Sequence, residues 1–170
     1  MSVCKDETEF DAPWEKVSSA WLRRYPNPYS SHVVSADVLE RYVDENGRLH
    51  TERLLVKQGK VPRWASDLLN VSKSYILERS IIDAEKRELL SETFNIDHLK
   101  LLKVMEYNRY QSSMENSSKT SITTLAQFAS PLRLGLGRRI QKYCLKRFPE
   151  QLMGSRRGIL YVLQKQKTFS

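Results

Sequence analysis

Alternating apolar and polar residues predict a chain built mainly of β-hairpins. Seven segments have the period-two alternation or the β-branched and aromatic content of strands, the first of them only weakly. They cover residues 1–10, 32–43, 48–58, 72–82, 87–96, 99–111 and 118–129. Asn46-Gly47 lies between the second and third segments and is a strong hairpin-turn signal, because both residue types tolerate positive φ. Consecutive hairpins predict one antiparallel sheet.

Two other segments have the period of an amphipathic helix. The first extends to about residue 24 and is ended by prolines at positions 26 and 28. Its residues Trp14, Val17, Trp21 and Arg24 are three, four and three positions apart and share one face. The second covers about 134–165, where Pro149 is expected to kink or interrupt it. Its apolar stripe consists of Leu136, Ile140, Cys144, Phe148 and Leu152.

The order of these elements predicts an α+β fold. A short N-terminal helix and a long C-terminal helix should pack on one face of a curved antiparallel sheet of about six to seven strands. A sheet that curls around a long helix can enclose a pocket between the two. Because no linker or repeat divides the 170 residues, we expect residues 1–170 to form a single domain.

The charge of the chain is concentrated near its C-terminus. The formal net charge is +8, and residues 132–170 hold ten Lys or Arg but only one acid, Glu150. A basic segment of this kind indicates an anionic partner, which could be nucleic acid, an acidic membrane surface or an acidic protein. A solvated helix face is the alternative.

Several classes of protein have little support in the sequence. No apolar run approaches the roughly 20 residues that span a bilayer, and residues 1–11 resemble neither a secretory signal nor a mitochondrial presequence. Cys4 and Cys144 are too few for a disulfide framework and lack zinc-ligand spacing. No catalytic triad, metal cluster or phosphate loop is recognisable, so we expect no enzyme activity and no cofactor. Nucleic-acid-binding signatures are absent as well.

Cations occur where apolar side chains are expected. On the strand 48–58, Arg53 and Lys57 share a face with Leu49, Thr51 and Leu55. Three further basic residues lie on apolar stripes: Arg24 on the first helix, His32 before its strand and Arg147 on the long helix. Each has an ordinary alternative, because Arg24 and Arg147 could face water, His32 could be a core histidine, and the other face of the strand could be the buried one.

Taken together, the inward cations predict an anionic ligand. Several buried cations lose hydration and repel one another, and no acid lies on the same stripes. A phosphate group would neutralise them, with Arg as a bidentate partner and Lys as a point charge. The neighbouring apolar surface would hold the apolar part of the ligand. A phospholipid meets both requirements.

The segment after the third strand has the composition of a lid. It begins at Gly59 and continues through Lys60, Val61, Pro62, Arg63 and Trp64. Trp favours the membrane–water interface, and Lys and Arg are attracted to anionic headgroups. An ordinary surface loop with a packed Trp is the alternative.

Four motifs make the chain resemble the PRELI/Ups family of mitochondrial lipid-transfer proteins. They are RYPNPYS at residues 24–30, TERLL at 51–55 followed by a lysine at 57, GKVPRW at 59–64 and SRRG at 155–158. The resemblance covers about residues 10–164 and is nearest to the branch that carries phosphatidic acid. The chain departs from the family pattern at Met153 and Gly154, where a basic pair is expected. This departure bears on headgroup selectivity.

The resemblance implies a fold, a site and a function. It implies a lipid pocket between the sheet and the long helix, and transfer of phosphatidic acid from the outer to the inner mitochondrial membrane through the intermembrane space, for cardiolipin synthesis. It also implies a heterodimer with a small protein that has twin Cys-x9-Cys motifs. By matching positions, the headgroup site would consist of Arg24, His32, Arg53, Lys57, Arg147 and Arg156. The lid would be Lys60, Val61, Pro62, Arg63 and Trp64, in transient contact with acidic membranes. A carrier of phosphatidylserine or another anionic phospholipid remains the alternative, and a basic nucleic-acid-binding module is a more remote one.

Overall fold

The predicted α+β architecture is confirmed. A computed structural model describes residues 1–59 and 72–168, with side chains as far as residue 165. Its described residues form a curved seven-stranded antiparallel sheet in the order β1-β7-β6-β5-β4-β3-β2. The strands are β1 Ser2–Phe10, β2 Val33–Val43, β3 Leu49–Gln58, β4 Lys73–Asp83, β5 Glu88–Asn95, β6 Lys103–Ser112 and β7 Thr120–Ala129. The helices are α1 Trp14–Leu22 and α2 Leu136–Thr168, and a single 3-10 turn covers Pro28–Ser30.

The β2–β3 hairpin forms at the predicted Asn-Gly turn. Gly47 has a φ of +74°, which glycine adopts without a steric penalty. The side chain of Asp44 accepts hydrogen bonds from the backbone N–H groups of Asn46 and Arg48, at 2.9 and 3.0 Å. The turn therefore fixes the register in which Val43 pairs with Leu49.

Strands β1 and β2 lie at opposite edges of the sheet, and α1 connects them. The chain runs back and forth from β2 to β7, and β7 then pairs with β1. Helix α1 must cross one face of the sheet to join the two edges. Helix α2 packs against α1, β1 and β7. Both helices therefore cover the same face, which we call the inner face.

Two apolar clusters fill the space between the inner face and the helices. The first, beneath α1 and the C-terminal half of α2, contains Phe10, Trp14, Val17, Ala20, Trp21, Leu89, Tyr110, Ile122, Ile159 and Leu163. The second contains Ala126, Phe128, Phe148 and Leu152. Burial of these side chains is the main favourable term in packing α2 on the sheet.

Helix α2 continues through Pro149, contrary to the expected interruption. Its 33 residues include both the basic stretch and the apolar stripe predicted from the sequence. Among the described residues, no helix combines the length and the apolar character needed to cross a bilayer.

Candidate functional site

A cavity of about 140 Å³ lies between the inner face of the sheet and α2. Trp21 and Tyr110 of the first apolar cluster line it on one side, and Phe148 and Leu152 of the second line it on the other. Most of the remaining wall is polar, and both signs of charge are present. The charged or titratable lining residues include Arg24, His32, Lys57, Glu78 and Glu106.

Two buried arginines share one buried carboxylate at this cavity. Nε of Arg53 donates to Oε1 of Glu78 at 2.7 Å, and Nη2 of Arg53 lies 2.5 Å from the same oxygen. Nη2 of Arg24 donates to Oε2 of Glu78. The exposed fractions of Arg24, Arg53 and Glu78 are 5%, 4% and 1%. Two cations and one anion leave one positive charge uncompensated within this group.

The register of the sheet explains how this group forms. Arg53 on β3 lies directly opposite Glu78 on β4, and both point to the inner face. Thr93 on β5 and Glu106 on β6 continue the same row across the sheet. The next inward row is also polar and consists of Thr51, Ser80, Ser91, Asn108 and Thr124. Glu78, Thr93 and Glu106 of the first row line the cavity and form its floor.

The end of α1 brings Arg24 to the same place. Nη1 of Arg24 donates to the carbonyl oxygen of Trp21 at 2.8 Å, and its guanidinium carbon lies 4.0 Å from the Trp21 ring centroid. Arg53 is held similarly, because its Nη1 donates to the carbonyl oxygen of Leu22 at 2.9 Å. Both guanidinium groups thus donate hydrogen bonds to carbonyls in the last turn of α1. The sequence prediction that Arg24 and Arg53 face the interior is confirmed.

The pKa values of the two arginines are shifted in opposite directions. Burial disfavours the charged form of Arg24, but the attraction of Glu78, Tyr25 and Tyr110 and the hydrogen bond to Glu78 together outweigh it and raise the pKa of Arg24 above its ordinary value. For Arg53, burial and the repulsion of Arg24 outweigh the attraction of Glu78 and lower the pKa. Both side chains stay charged at neutral pH, since arginine is not deprotonated in proteins. Arg53 is therefore the arginine whose charge is less well compensated.

Lys57 and His32 line the cavity near its exposed side. Lys57 is partly buried and follows Arg53 and Leu55 on the inward side of β3. His32 is more exposed, and desolvation together with the nearby Lys57 lowers its pKa. The structure thus brings together four of the six residues predicted for the headgroup site, counting Arg24 and Arg53. Whether they bind a headgroup remains a prediction.

Arg147 and Arg156 lie outside this group. The side chain of Arg147 is 49% exposed, and its Nη1 donates to the hydroxyl of Tyr143 at 2.8 Å. Its neighbour Phe148 faces the cavity instead. Arg156 forms an ion pair with Asp6 on β1, at the opposite edge of the sheet from β2 and β3. In the described structure these two arginines do not join the cavity wall.

Sequence reasoning missed Glu78, and its conclusion that the buried cations lack an internal anion is wrong. Glu78 lies on β4 with Ile76, Ser80 and Ile82 on the same face. The signal was therefore available, since a charge among inward positions is the same feature that identified Arg53. Glu78 lies on a different strand from every predicted cation, so the stripes that carry the cations do not include it. The proposed lid residues Lys60, Val61, Pro62, Arg63 and Trp64 lie outside the described residues.

Comparison with known proteins identifies the family. A model of the PRELI-like family matches residues 15–169. The chain belongs to the PRELI-like family. It is 70% identical over 165 residues to the ups1 homolog of Schizosaccharomyces pombe, covering 97% of this chain and 96% of that one. It is 36% identical to the mitochondrial protein UPS1 of Saccharomyces cerevisiae, covering 92% and 89% of the two chains. All the motifs that carried the resemblance lie within the range that the PRELI-like family model matches.

Solved structures support the fold of this PRELI-like chain. The protein TTHA0849 from Thermus thermophilus superposes with a TM-score of 0.66 at 16% identity, covering 97% of this chain and 99% of that one. Ara h 8.0201 superposes with a TM-score of 0.59 at 14% identity, covering 96% of this chain and 98% of that one. Identities this low speak for a shared architecture alone. They agree with a curved sheet wrapped around a long C-terminal helix.

Proposed function

We propose that this PRELI-like protein is a mitochondrial carrier of anionic phospholipid. The cargo is phosphatidic acid, moved from the outer to the inner membrane through the intermembrane space to supply cardiolipin synthesis. The protein extracts and releases the lipid without covalent chemistry, so it is not an enzyme. Transfer then depends only on a difference in lipid affinity between two states of the protein.

One observation carries this proposal: Arg24 and Lys57 line the cavity, and Arg53 pairs with Glu78 on its wall. Arg24 and Arg53 retain one positive charge after pairing with Glu78, and Lys57 adds another at the open side. A phosphate group carries between about one and a half and two negative charges at neutral pH when it is a monoester. Glu106 on the cavity wall offsets one of these two positive charges, and the positive charge that remains favours an anionic headgroup.

The size of the cavity adds a requirement to the proposal. Pockets for drug-sized ligands measure about 300–1,000 Å³, whereas this one measures about 140 Å³. Such a volume suits a phosphate group and part of the glycerol, and two acyl chains do not fit. Lipid uptake must therefore widen the space between α2 and the sheet. The apolar side chains of Phe148 and Leu152 would then contact the acyl chains.

The location and the partner belong to the same proposal. The S. cerevisiae relative is named a mitochondrial protein, and the net charge of +8 suits contact with acidic membranes. We propose a heterodimer with a small protein bearing twin Cys-x9-Cys motifs. The outer face of the sheet offers apolar surface to it, in a hollow of about 430 Å³ that includes Ile81, Leu90 and Leu125. Native mass spectrometry of the purified complex would detect both a bound lipid and this subunit.

Transfer between liposomes tests the phosphate role directly. Lys57→Gln removes a cation that forms no ion pair with the described residues, and should abolish most transfer of fluorescent phosphatidic acid while leaving the melting temperature unchanged. Lys86→Gln is the matched control, because Lys86 lies in the β4–β5 turn with its side chain 70% exposed and the change in net charge is the same. Equal transfer by both variants would contradict the phosphate site.

Phosphatidylserine is the second candidate cargo, and Glu106 favours it. This carboxylate lines the cavity, where it accepts a hydrogen bond from Nδ2 of Asn108 at 2.8 Å. It would attract the ammonium group of a serine headgroup and repel a second phosphate charge. Glu106→Gln should therefore lower the transfer of phosphatidylserine relative to phosphatidic acid. If wild type prefers phosphatidylserine in the same liposomes, this second candidate replaces the first.

A further inference from the structure

Glu78 occupies the place where a ligand anion would be expected. Its two carboxylate oxygens receive hydrogen bonds from two different arginines, Arg53 at Oε1 and Arg24 at Oε2. A phosphate bridging two arginines would use the same donors in the same way. The carboxylate is 1% exposed and lies on the cavity wall, so it is both buried and adjacent to the space a ligand would enter.

We propose that Glu78 is an internal substitute for the lipid phosphate, which holds Arg24 and Arg53 in the empty protein and competes with the phosphate for interaction with these two arginines when lipid enters. This inference rests on the proposed function. The site has so far been described only by its cations, and Glu78 is a group in it that lowers the affinity for lipid. Glu78 acts through the arginines and is a positioning residue.

Glu78 and a phosphate would interact with the same two guanidinium groups, whose hydrogen bonds to the described residues are four. Arg24 already directs one N–H group to the carbonyl of Trp21 and another to Glu78. Arg53 directs Nη1 to the carbonyl of Leu22 and Nε to Glu78. The carbonyl bonds hold the end of α1 in place and would remain. A phosphate that binds the remaining N–H groups would lie beside the Glu78 carboxylate, and the two anions would repel each other.

Competition of this kind suits a carrier, because a carrier must release its cargo. Without Glu78, the empty site would hold two uncompensated buried cations, and a bound phosphate would relieve their repulsion. Such a site would bind the lipid tightly and release it slowly. With Glu78 present, one of the two positive charges is already compensated when the lipid leaves, so the empty state is lower in free energy and release is favoured. Lys57 then remains as the cation available for first contact.

A comparison of Glu78→Gln with Glu52→Gln tests the proposal. Glu52 is the matched control, since it lies on the neighbouring strand β3 and pairs with Arg79 at 2.7 Å, but on the outer face. Binding is measured by cosedimentation with phosphatidylcholine vesicles that contain phosphatidic acid, and with phosphatidylcholine alone. Melting temperatures are recorded with and without the same vesicles.

For Glu78→Gln we expect a lower melting temperature without lipid and a larger rise on adding phosphatidic acid than in wild type. Affinity for the phosphatidic acid vesicles should increase about tenfold, with slower release to acceptor vesicles. Glu52→Gln should match wild type in melting temperature, lipid-induced rise, affinity and release rate. A lower melting temperature with an unchanged affinity and an unchanged lipid-induced rise would show that Glu78 is merely structural, and would overturn the proposal.

Glu78→Asp keeps the test decisive if Glu78→Gln does not fold. It preserves the charge but withdraws the carboxylate by one methylene, which weakens its contact with both arginines. An intermediate gain in affinity is expected, and wild-type affinity would contradict the competition. The failure of the proposed function is distinguishable, because wild type itself would then bind both kinds of vesicle equally.

Discussion

Gly158 of helix α2 packs directly on the side chain of Asn27. A Cβ atom at position 158 would lie 2.6 Å from Nδ2 of Asn27. That side chain is itself fixed, because Nδ2 donates to the carbonyl oxygen of Arg24 at 2.5 Å and Oδ1 accepts from the backbone N–H of Tyr29 at 2.9 Å. Two motifs far apart in sequence, at residues 24–30 and 155–158, therefore meet at one contact. This contact positions the backbone that carries Arg24.

Gly158→Ala should destabilise the protein by about 1–3 kcal/mol. The added methyl group overlaps Asn27 and must push the side chain or the helix aside, which is the usual effect of overpacking a close contact. The change in unfolding free energy is measured by urea denaturation. Displacement of Asn27 should also move Arg24, so lipid transfer should fall by more than the loss of stability explains.

Gly154→Ala is the matched control one helical turn earlier. Its Cβ would lie 3.3 Å from the carbonyl oxygen of Tyr29, a tight contact that small adjustments relieve. Alanine is favoured over glycine within a helix by about 0.5–1 kcal/mol, so the two effects should nearly cancel. If Gly158→Ala is as stable as Gly154→Ala, the packing of Asn27 on α2 is not what constrains this position.

Arg53→Met should separate binding from stability better than a charge reversal. Removing Arg53 leaves Arg24 and Glu78 as a neutral pair, so the cost should stay below the roughly 3–5 kcal/mol typical of a broken buried pair. Glu78→Met leaves two uncompensated cations and should reach that range. Arg53→Glu is a poor choice, since it would place two carboxylates together. Urea denaturation measures the loss of unfolding free energy in each variant. A larger loss for Arg53→Met than for Glu78→Met would refute this charge balance.

Much of the fold could be predicted because the strands alternate cleanly. The strand predicted over 48–58 is observed as Leu49–Gln58, and the hairpin turn is at Asn46-Gly47. The largest boundary error is at β6, predicted to begin at residue 99 and observed to begin at Lys103. His98 adopts a φ of +54°, and the backbone N–H groups of Leu101 and Leu102 donate to its carbonyl. An apolar run inside a turn cannot be distinguished from a strand by periodicity alone.

The sequence predicts the direction of a site residue within its own strand or helix, but not its partner on another strand. The inward direction of Arg53 follows from alternation within one strand. Its pairing with Glu78 depends on the register between β3 and β4, which a long connection does not specify. Arg147 illustrates the opposite case, in which a position on the helical stripe does not face the cavity. Its side chain is 49% exposed, whereas the neighbouring Phe148 lines the cavity.

The thiol of Cys144 should react slowly in the folded protein. It packs beside the second apolar cluster, and burial raises its pKa to about 11. Since the thiolate is the nucleophile, alkylation by iodoacetamide at mildly alkaline pH should be about a hundredfold slower than for an ordinary thiol. Peptide mass spectrometry follows Cys144 in native protein and in urea. Equal rates in the two conditions would mean that α2 does not hold Cys144 against the sheet.

Acidification should destabilise the lipid-free protein through His32. Desolvation and the nearby Lys57 lower the pKa of His32 in the folded state, so folded protein resists a proton that the unfolded chain accepts near its ordinary pKa of about 6.5. Well above that pH His32 is neutral in both states and does not change the unfolding free energy. As the pH falls below it, the unfolded state binds more protons and the unfolding free energy declines. The decline between about pH 8 and about pH 5 should be smaller in His32→Asn, as urea denaturation would measure. Parallel curves for wild type and His32→Asn would mean that His32 titrates as freely as in the unfolded chain, and that Lys57 does not share its cavity.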